Sequence, residues 1–210
     1  AGIFSGFFGV RESGNFEGKN ILNISQKASE YSQRQGIPLE RLIDVVQRGK
    51  LALWAEREKR VHPLLDDKVL ASWNGMMLRS FAEAGAALER QDYLDAAVKN
   101  ANFLLETMRP GGKLLRTFRA GQAKLPGYLE DFSFGADGLL ALYEATFDQR
   151  WLDESISLAD RMIELFWDDA VGGFYDTGAE HDELVVRPRD VLDNAQPCGG
   201  SVATDVLLKL

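Results

Sequence analysis

The apolar positions of the chain fall at helical spacing in four long segments that come as two pairs. Over residues 72–88, Trp73, Met76, Met77, Leu78, Phe81, Ala82, Ala84, Ala86 and Ala87 surround most of the circumference, as in a helix buried on several sides. Over 93–108, Leu94, Ala97, Val98, Ala101, Leu104, Leu105 and Met108 recur every three or four residues, with Asp95, Lys99 and Asn102 outside the stripe. The second pair repeats this order. Residues 132–147 are almost wholly apolar (Phe134, Leu139, Leu140, Leu142, Tyr143), and 151–166 carry a stripe of Leu152, Ile156, Ala159, Met162, Ile163 and Phe166. Tyr93 and Trp151, Leu94 and Leu152, Asp95 and Asp153, and Ala101 and Ala159 are each 58 residues apart, the signature of an internal helical repeat.

The turns agree with this division. Within each pair the connection is short and polar (89–92 and 148–150), which makes the two helices antiparallel neighbours. Between pairs it is long and opens with a double glycine, Gly111-Gly112 or Gly172-Gly173. Alternating residues follow, at 113–119 and at 174–177 then 184–187, and predict short hairpin strands. A similar connection is expected at the start, with Phe4, Phe7, Phe8, Val10 and a turn at 14–18. A further helix is expected over 38–60, with Pro38 in its first turn and Leu39, Leu42, Ile43, Val46, Leu53 and Trp54 inward. Residues 202–210 read as the start of another buried helix. The fold class is therefore all-α: an incomplete ring of αα-hairpins, a toroid with short β-hairpins in its long loops, preferred over an open solenoid because the period is long and the loops carry strands. The chain lacks an initiating Met and ends on an uncapped apolar helical pattern, so residues 1–210 are expected to be part of one toroid domain. Its flanks would then expose apolar surface and favour self-association.

Composition narrows the partners. With 24 Lys and Arg against 32 Asp and Glu the formal charge is −8, which disfavours nucleic acid. Cys198 is the single cysteine, so neither an internal disulfide nor a cysteine metal cluster can form, and no metal or cofactor is expected. No apolar run approaches the roughly 20 residues that span a bilayer. No membrane partner is expected, and a reducing, cytoplasmic setting fits.

In a toroid the long loops emerge on one rim, at the N-termini of the inner helices, where unpaired N–H groups and positive dipole ends lie. The candidate acid/base residues there are Asp67, Glu130, Asp131 and His62, and the candidate substrate-binding residues are Arg60, Lys68, Trp73, Asn74, Tyr128, Arg187 and Asn194. Paired carboxylates beside aromatic faces suit a carbohydrate ligand. Ordinary structural roles compete at each position. Asp66, Asp131 and Ser201 suit helix caps or first turns. Arg57 and Arg60 suit a helix C-terminus, and Trp73 suits a core. His62, before Pro63 in a loop, is free to act as an acid or base, although most loop histidines are inert. His181, between Glu180 and Asp182, reads as surface. Cys198, ahead of Gly199-Gly200 at a helix start, reads as an activated or a buried inert thiol.

Several stretches are similar to a known family: GNFEGKN (14–20), AEREKRVHPLLDDKVLASWNG (55–75), YLEDFSF (128–134), LYEATFD (142–148), WDDAVGGFYDT (167–177) and VVRPRDVLDNAQPCGGSVA (185–203). They resemble the thioredoxin-domain proteins of the bacterial YyaL-like and mammalian spermatogenesis-associated type. The resemblance implies an N-terminal thioredoxin-like domain followed by an (α/α)6 toroid similar to six-hairpin glycosidases and N-acylglucosamine 2-epimerases, with this chain in the later part of the toroid. The chain reads Pro197-Cys198-Gly199-Gly200-Ser201 where the family has a PSGNS-like segment, which removes the Asn of that motif. Two functions follow as expectations. One is a carbohydrate-active toroid, hydrolase or epimerase; an epimerase of the related type would use two histidines, of which only His62 is at hand. The other is a non-catalytic glycan- or protein-binding scaffold beside a redox domain. Asp67, Asp131 and Arg187 clustered in a deep cavity would favour catalysis; capping geometry without a cavity would favour the scaffold.

Overall fold

The computed structural model describes residues 1–181 and 185–210. The chain divides into two compact units, Ala1–Leu65 and Asp66–Leu210. The first contains α1 (Gly2–Phe7), α2 (Ala28–Gln35) and α3 (Leu39–Arg57), around a small core of Phe7, Phe8, Tyr31 and Leu42. Pro38 is the N-cap of α3 and not part of its first turn. Of the α3 positions expected inward, Leu42 is fully buried and Val46 half-buried, whereas Leu39, Ile43, Leu53 and Trp54 are exposed. The reason is local: the buried contacts of α3 are made by α1 and α2, which cover only part of it. Phe4 and Phe7 are helical, and the expected hairpin is reduced to one bridge, Phe16 to Lys19. Helix α2 escaped the apolar pattern because its sequence, ASEYSQRQ, is polar; it buries only Tyr31 and Ser32 and stops at Gly36 in the left-handed conformation.

The second unit opens with β1 (Val69–Leu70), followed by α4 (Ala71–Ala87) and α5 (Gln91–Asn102), the latter continuing into a π-helical turn over Phe103–Thr107. Strands β2 (Leu115–Arg119) and β3 (Gln122–Pro126) come next, then α6 (Leu129–Thr146), α7 (Gln149–Phe166) and α8 (Gly199–Lys209). The sheet is antiparallel in the order β1-β2-β3, with Val69 opposite Phe118 and Thr117 opposite Lys124. Ala120 and Gly121 both have positive φ in the two-residue turn between β2 and β3, the geometry that matches strand twist. The second long connection forms no strand at 174–177, only a bridge between Trp167 and Phe174. Leu184 of the strand expected at 184–187 lies outside the described residues, and the rest of that segment is not strand.

Helix α6 is the centre of this unit. It packs against α4, α7 and α8, and from Leu129 to Leu142 every residue except Glu130 is buried. Its outer partner α7 buries Trp151, Ser155, Leu158, Ala159, Met162, Leu165 and Phe166, at the three- and four-residue spacing of one helical face. Ile156 and Ile163, expected on that face, are exposed beside it. Helix α4 is less enclosed than its composition implies. Ala71, Ser72, Gly75, Leu78, Ala82 and Gly85 are buried, but Trp73 is 58% exposed and Met77 48%. The core role for Trp73 is therefore not realised, because α5 and α6 cover only the other sides of α4.

Two devices hold α4 against α6. A Cβ on Gly138 would lie 2.7 Å from the Gly75 carbonyl oxygen, and one on Gly75 would lie 2.5 Å from the Phe134 carbonyl carbon, so the two backbones touch at glycine. The other device is Asp131. Its side chain is wholly buried; one oxygen accepts the backbone N–H of Ser72 at 2.9 Å, and the other accepts the N–H of Tyr128 at 2.8 Å and pairs with Arg116 at 3.0 Å. One carboxylate thus joins the first turn of α4, the N-cap of α6 and strand β2. Burial pushes the Asp131 carboxyl up, against the pull of Arg116 and the two N–H groups.

Ala in place of Gly in a helix interior ordinarily adds up to about 1 kcal/mol. Gly138→Ala should instead cost about 2 kcal/mol or more, because its methyl meets backbone that cannot rotate away; a urea midpoint that stays level or rises would exclude that contact. Asp131→Ala leaves two backbone N–H groups without their acceptor and takes one of two carboxylate partners from Arg116, and should cost about 3 kcal/mol in the same measurement.

Candidate functional site

The N-termini of α6 and α8 converge. A Cβ on Gly199 would stand 3.0 Å from the Glu130 nitrogen and 3.1 Å from the Leu129 side chain, so a small residue is required where the two helices begin. Beside this junction lies a cavity of about 390 Å³ lined by Tyr128, Glu130, Asp176, Asp190, Asn194, Gln196, Pro197, Cys198 and Gly199. Three carboxyls and two side-chain amides therefore face one space.

Each wall has a local cause. Glu130 is the one unburied residue in the first part of α6; its carboxylate pairs with Arg116 at 2.8 Å and accepts the Gln196 amide at 2.9 Å. Its place in the first turn of α6 suits a negative charge. The Arg116 guanidinium also lies 4.5 Å from the centre of the Tyr128 ring, which fixes that aromatic at the cavity edge. Asp176 is held by its backbone: its carbonyl accepts the Leu129 N–H at 3.0 Å, and its N–H donates to the Pro188 carbonyl at 2.9 Å. Its carboxylate accepts the Asp190 N–H at 2.9 Å. Burial, together with the neighbouring Asp190 and Glu130 charges, pushes the Asp176 carboxyl above the usual carboxylate value. An Asp with its proton affinity raised beside a Glu paired to arginine is the asymmetry that separates an acid from an ionised partner.

Cys198 caps α8 in place of the expected Ser201; its sulfur lies 3.2 Å from the Ser201 hydroxyl, and its N–H donates to Asp193 at 2.8 Å. The Asp193 carboxyl is held below the usual range by that N–H and by Ser201. The thiol is buried and sits in the cavity wall.

Of the residues expected at the site, Glu130, Tyr128 and Asn194 line the cavity. Asp131 does not; it lies in the latch joining α4 and α6. Asp67 pairs with Arg119, and Lys68 lies 3.3 Å from Asp66, at an open depression beside β2 and β3. Asp66 caps no helix: it accepts the Lys68 N–H in an exposed segment. Asn74 is turned to its own helix, donating to the Leu70 carbonyl at 2.8 Å. Arg187 donates to the Thr177 carbonyl and stacks on Tyr175. Asp67, Asp131 and Arg187 are therefore not a cluster. Arg60 and His62 belong to the first unit and are exposed, His62 lying 3.8 Å from Glu58. His181, expected on the surface, is half-buried, with its ring 4.8 Å from that of Tyr128.

Asp176, Asp190, Gln196 and Arg116 were not among the expected site residues. The first three lie inside the segments WDDAVGGFYDT and VVRPRDVLDNAQPCGGSVA, where the spacing signals turns and strands and nothing marks one carboxylate over another. Among the described residues no group of three or more His, Cys, Asp or Glu is arranged to hold a metal ion, and no helix is long and apolar enough to cross a membrane.

No protein-family model matches the chain. Among solved structures it is similar to the cellobiose 2-epimerase of Spirochaeta thermophila, with a TM-score of 0.54 and 17% identity, over 68% of this chain and 38% of that one. It is also similar to the cellobiose 2-epimerase of Bacillus thermoamylovorans, with a TM-score of 0.50 and 12% identity, over 54% and 33%. At such identities the likeness is one of fold, and it places the helical hairpins in the (α/α)6 toroid class. Spermatogenesis-associated protein 20 of Mus musculus is 35% identical over 209 residues, covering 94% of this chain and 26% of that protein. The Homo sapiens protein of the same name is 33% identical over 224 residues, covering 97% and 28%. The chain thus spans about a quarter of the length of the curated relatives it matches. Over that length it belongs to the YyaL-like, spermatogenesis-associated family, the family that its DDK and WNG segments resemble.

Proposed function

We propose that the cavity at the heads of α6 and α8 binds a sugar and is the working site of a carbohydrate-active toroid, with Asp176 as proton donor and Glu130 as its ionised partner. The observation that carries this reading is the pairing, in one cavity, of a carboxyl pushed up by burial and two neighbouring acids with a carboxylate anchored to Arg116. Glycoside hydrolysis uses two carboxyls in these separate roles. The side-chain amides of Asn194 and Gln196 and the Tyr128 ring supply the hydrogen-bonding and apolar surfaces that a pyranose presents. The two structural neighbours are named as sugar epimerases, which favours a saccharide ligand. A two-histidine proton exchange is less well supported, since no histidine lines the cavity among the described residues. The reaction favoured is therefore acid-assisted cleavage or transfer at a glycosidic carbon.

The test is a thermal-shift and calorimetric titration of the chain with cellobiose and with glucosamine, followed by assay on aryl glycosides. Saturable binding with turnover that Asp176→Asn and Glu130→Gln each lower about 100-fold or more supports the assignment. Binding without turnover moves the protein to a non-catalytic glycan-binding module, and no binding of either sugar defeats the reading.

Asp176 also has a stability signature. Its carboxyl is raised above the ordinary Asp value of about 3.9, so the folded chain holds this proton more tightly than the unfolded chain does. The resulting stability is present below that value and is lost as pH rises through the folded pKa. Asp176→Asn should therefore raise Tm at about pH 7, with a gain that vanishes near pH 3. A variant that melts lower at neutral pH would contradict the raised carboxyl.

A further inference from the structure

Asp176 and Asp190 come from two stretches, 175–177 and 187–190, that belong to no helix or strand. Closing a loop between such stretches costs entropy, and one backbone hydrogen bond, from the Asp176 N–H to the Pro188 carbonyl, and one from the Asp190 N–H to the Asp176 side chain tie them together at Asp176. A second lock lies beside these bonds. The Tyr175 ring carries two guanidinium groups, Arg187 and Arg189, each with its central carbon 4.0 Å from the ring centre. Both cations therefore lean on the one ring. Each cation is anchored at its far end. Arg187 donates to the Thr177 and Leu165 carbonyls, and Arg189 pairs with Asp168, which also accepts the Tyr175 hydroxyl at 2.8 Å. Tyr175 and Thr177 bracket Asp176, Arg187 and Arg189 bracket Pro188, and Pro188 accepts the Asp176 N–H.

We propose that the Arg187–Tyr175–Arg189 cluster is the positioning device of the site, clamping the two stretches so that Asp176 and Asp190 face Glu130 across the cavity. None of the three side chains lines the cavity, so they act through the carboxyls they place. The proposal rests on the reading of the cavity as the working site, but it is tested without a sugar. Facing Asp176 are Glu130 from α6, with Arg116 behind it, Asp190 from its own loop, and Cys198 at the head of α8. Arg187, Arg189 and Tyr175 are the charged and titratable groups of the clamp itself.

The experiment is a carbon-13 NMR titration of the Asp176 carboxyl in the whole chain and in variants. In the parent the midpoint should lie above the ordinary Asp value of about 3.9. Tyr175→Phe keeps the ring against both cations and should keep that midpoint; Tyr175→Leu removes the ring and should let it fall to the ordinary value, with the backbone spectrum of α6 and α7 unchanged. Should Tyr175→Leu not fold, the double replacement Arg187→Gln with Arg189→Gln takes its place. Its sign is diagnostic, because loss of two cations alone would push a nearby carboxyl up, so a fall reports that the carboxyl has moved into solvent. A parent-like midpoint in Tyr175→Leu, an upward shift in the double variant, or a fall in Tyr175→Phe as large as that in Tyr175→Leu would overturn the proposal. Since no ligand enters this titration, failure of the cavity to bind cellobiose or glucosamine would sink the sugar reading and leave the clamp standing.

Discussion

The buried carboxylate of Asp131 is the constraint on which the second unit depends. Three elements that are distant in sequence reach it: Ser72 at the head of α4, Tyr128 at the head of α6 and Arg116 on β2. A buried charge is tolerated only when its acceptor sites are filled, and here the two backbone N–H groups would themselves be orphaned without it, while Arg116 would keep only Glu130. The group therefore fixes position more than it adds stability. It brings the N-termini of two helices to one level and ties the sheet to them through an arginine. Because Arg116 also holds Glu130 and touches Tyr128, the wall of the cavity is an extension of the same network.

That arrangement explains why neighbouring acids in one tripeptide have different roles. Glu130 and Asp131 are adjacent on α6, about 100° apart around the helix, so one points to the cavity while the other is sealed against α4. The glycine contacts at Gly75, Gly138 and Gly199 act in the same sense. They let α4, α6 and α8 approach until their heads are contiguous, and a cavity between helix heads exists only at that separation.

Much of this architecture was legible in the sequence because burial writes a period into the chain. The two hairpins, the short turns within them and the alternating strand at 115–119 all follow from the spacing of apolar residues, and the likeness to (α/α)6 toroids agrees. Legibility fails where spacing carries no burial signal. Helix α2 is polar and is held by Tyr31 alone among its own large side chains, and Trp73 has apolar character but is more than half exposed. The candidate site fails for a different reason. Glu130 and Tyr128 could be placed because they start a recognisable helix, whereas Asp176 and Asp190 meet through backbone bonds between irregular stretches, and no one-dimensional pattern encodes such a contact. His62 and Asp67 looked equally apt by residue type, yet one belongs to the other unit and the other is paired at the sheet.

The electrostatics of the cavity run against stability. Glu130 pairs with Arg116 at the head of α6, whereas partial burial and two neighbouring acids oppose the ionisation of Asp176. A fold selected for stability alone would place an amide there, since the hydrogen bond from the Asp190 N–H needs only a carbonyl oxygen. The clamp around Tyr175 adds to the cost by restraining two irregular stretches so that this unfavourable proximity persists. Local strain between like charges, maintained by a rigid surround, is the pattern expected where a carboxyl's proton affinity is raised for exchange with a ligand. The Asp131 latch shows the contrast within the same unit: burial raises that carboxyl too, but three donors hold it and it is sealed away from the cavity. The separation of these two environments by a single helical head is what makes Asp176, and not Asp131, the acid to follow.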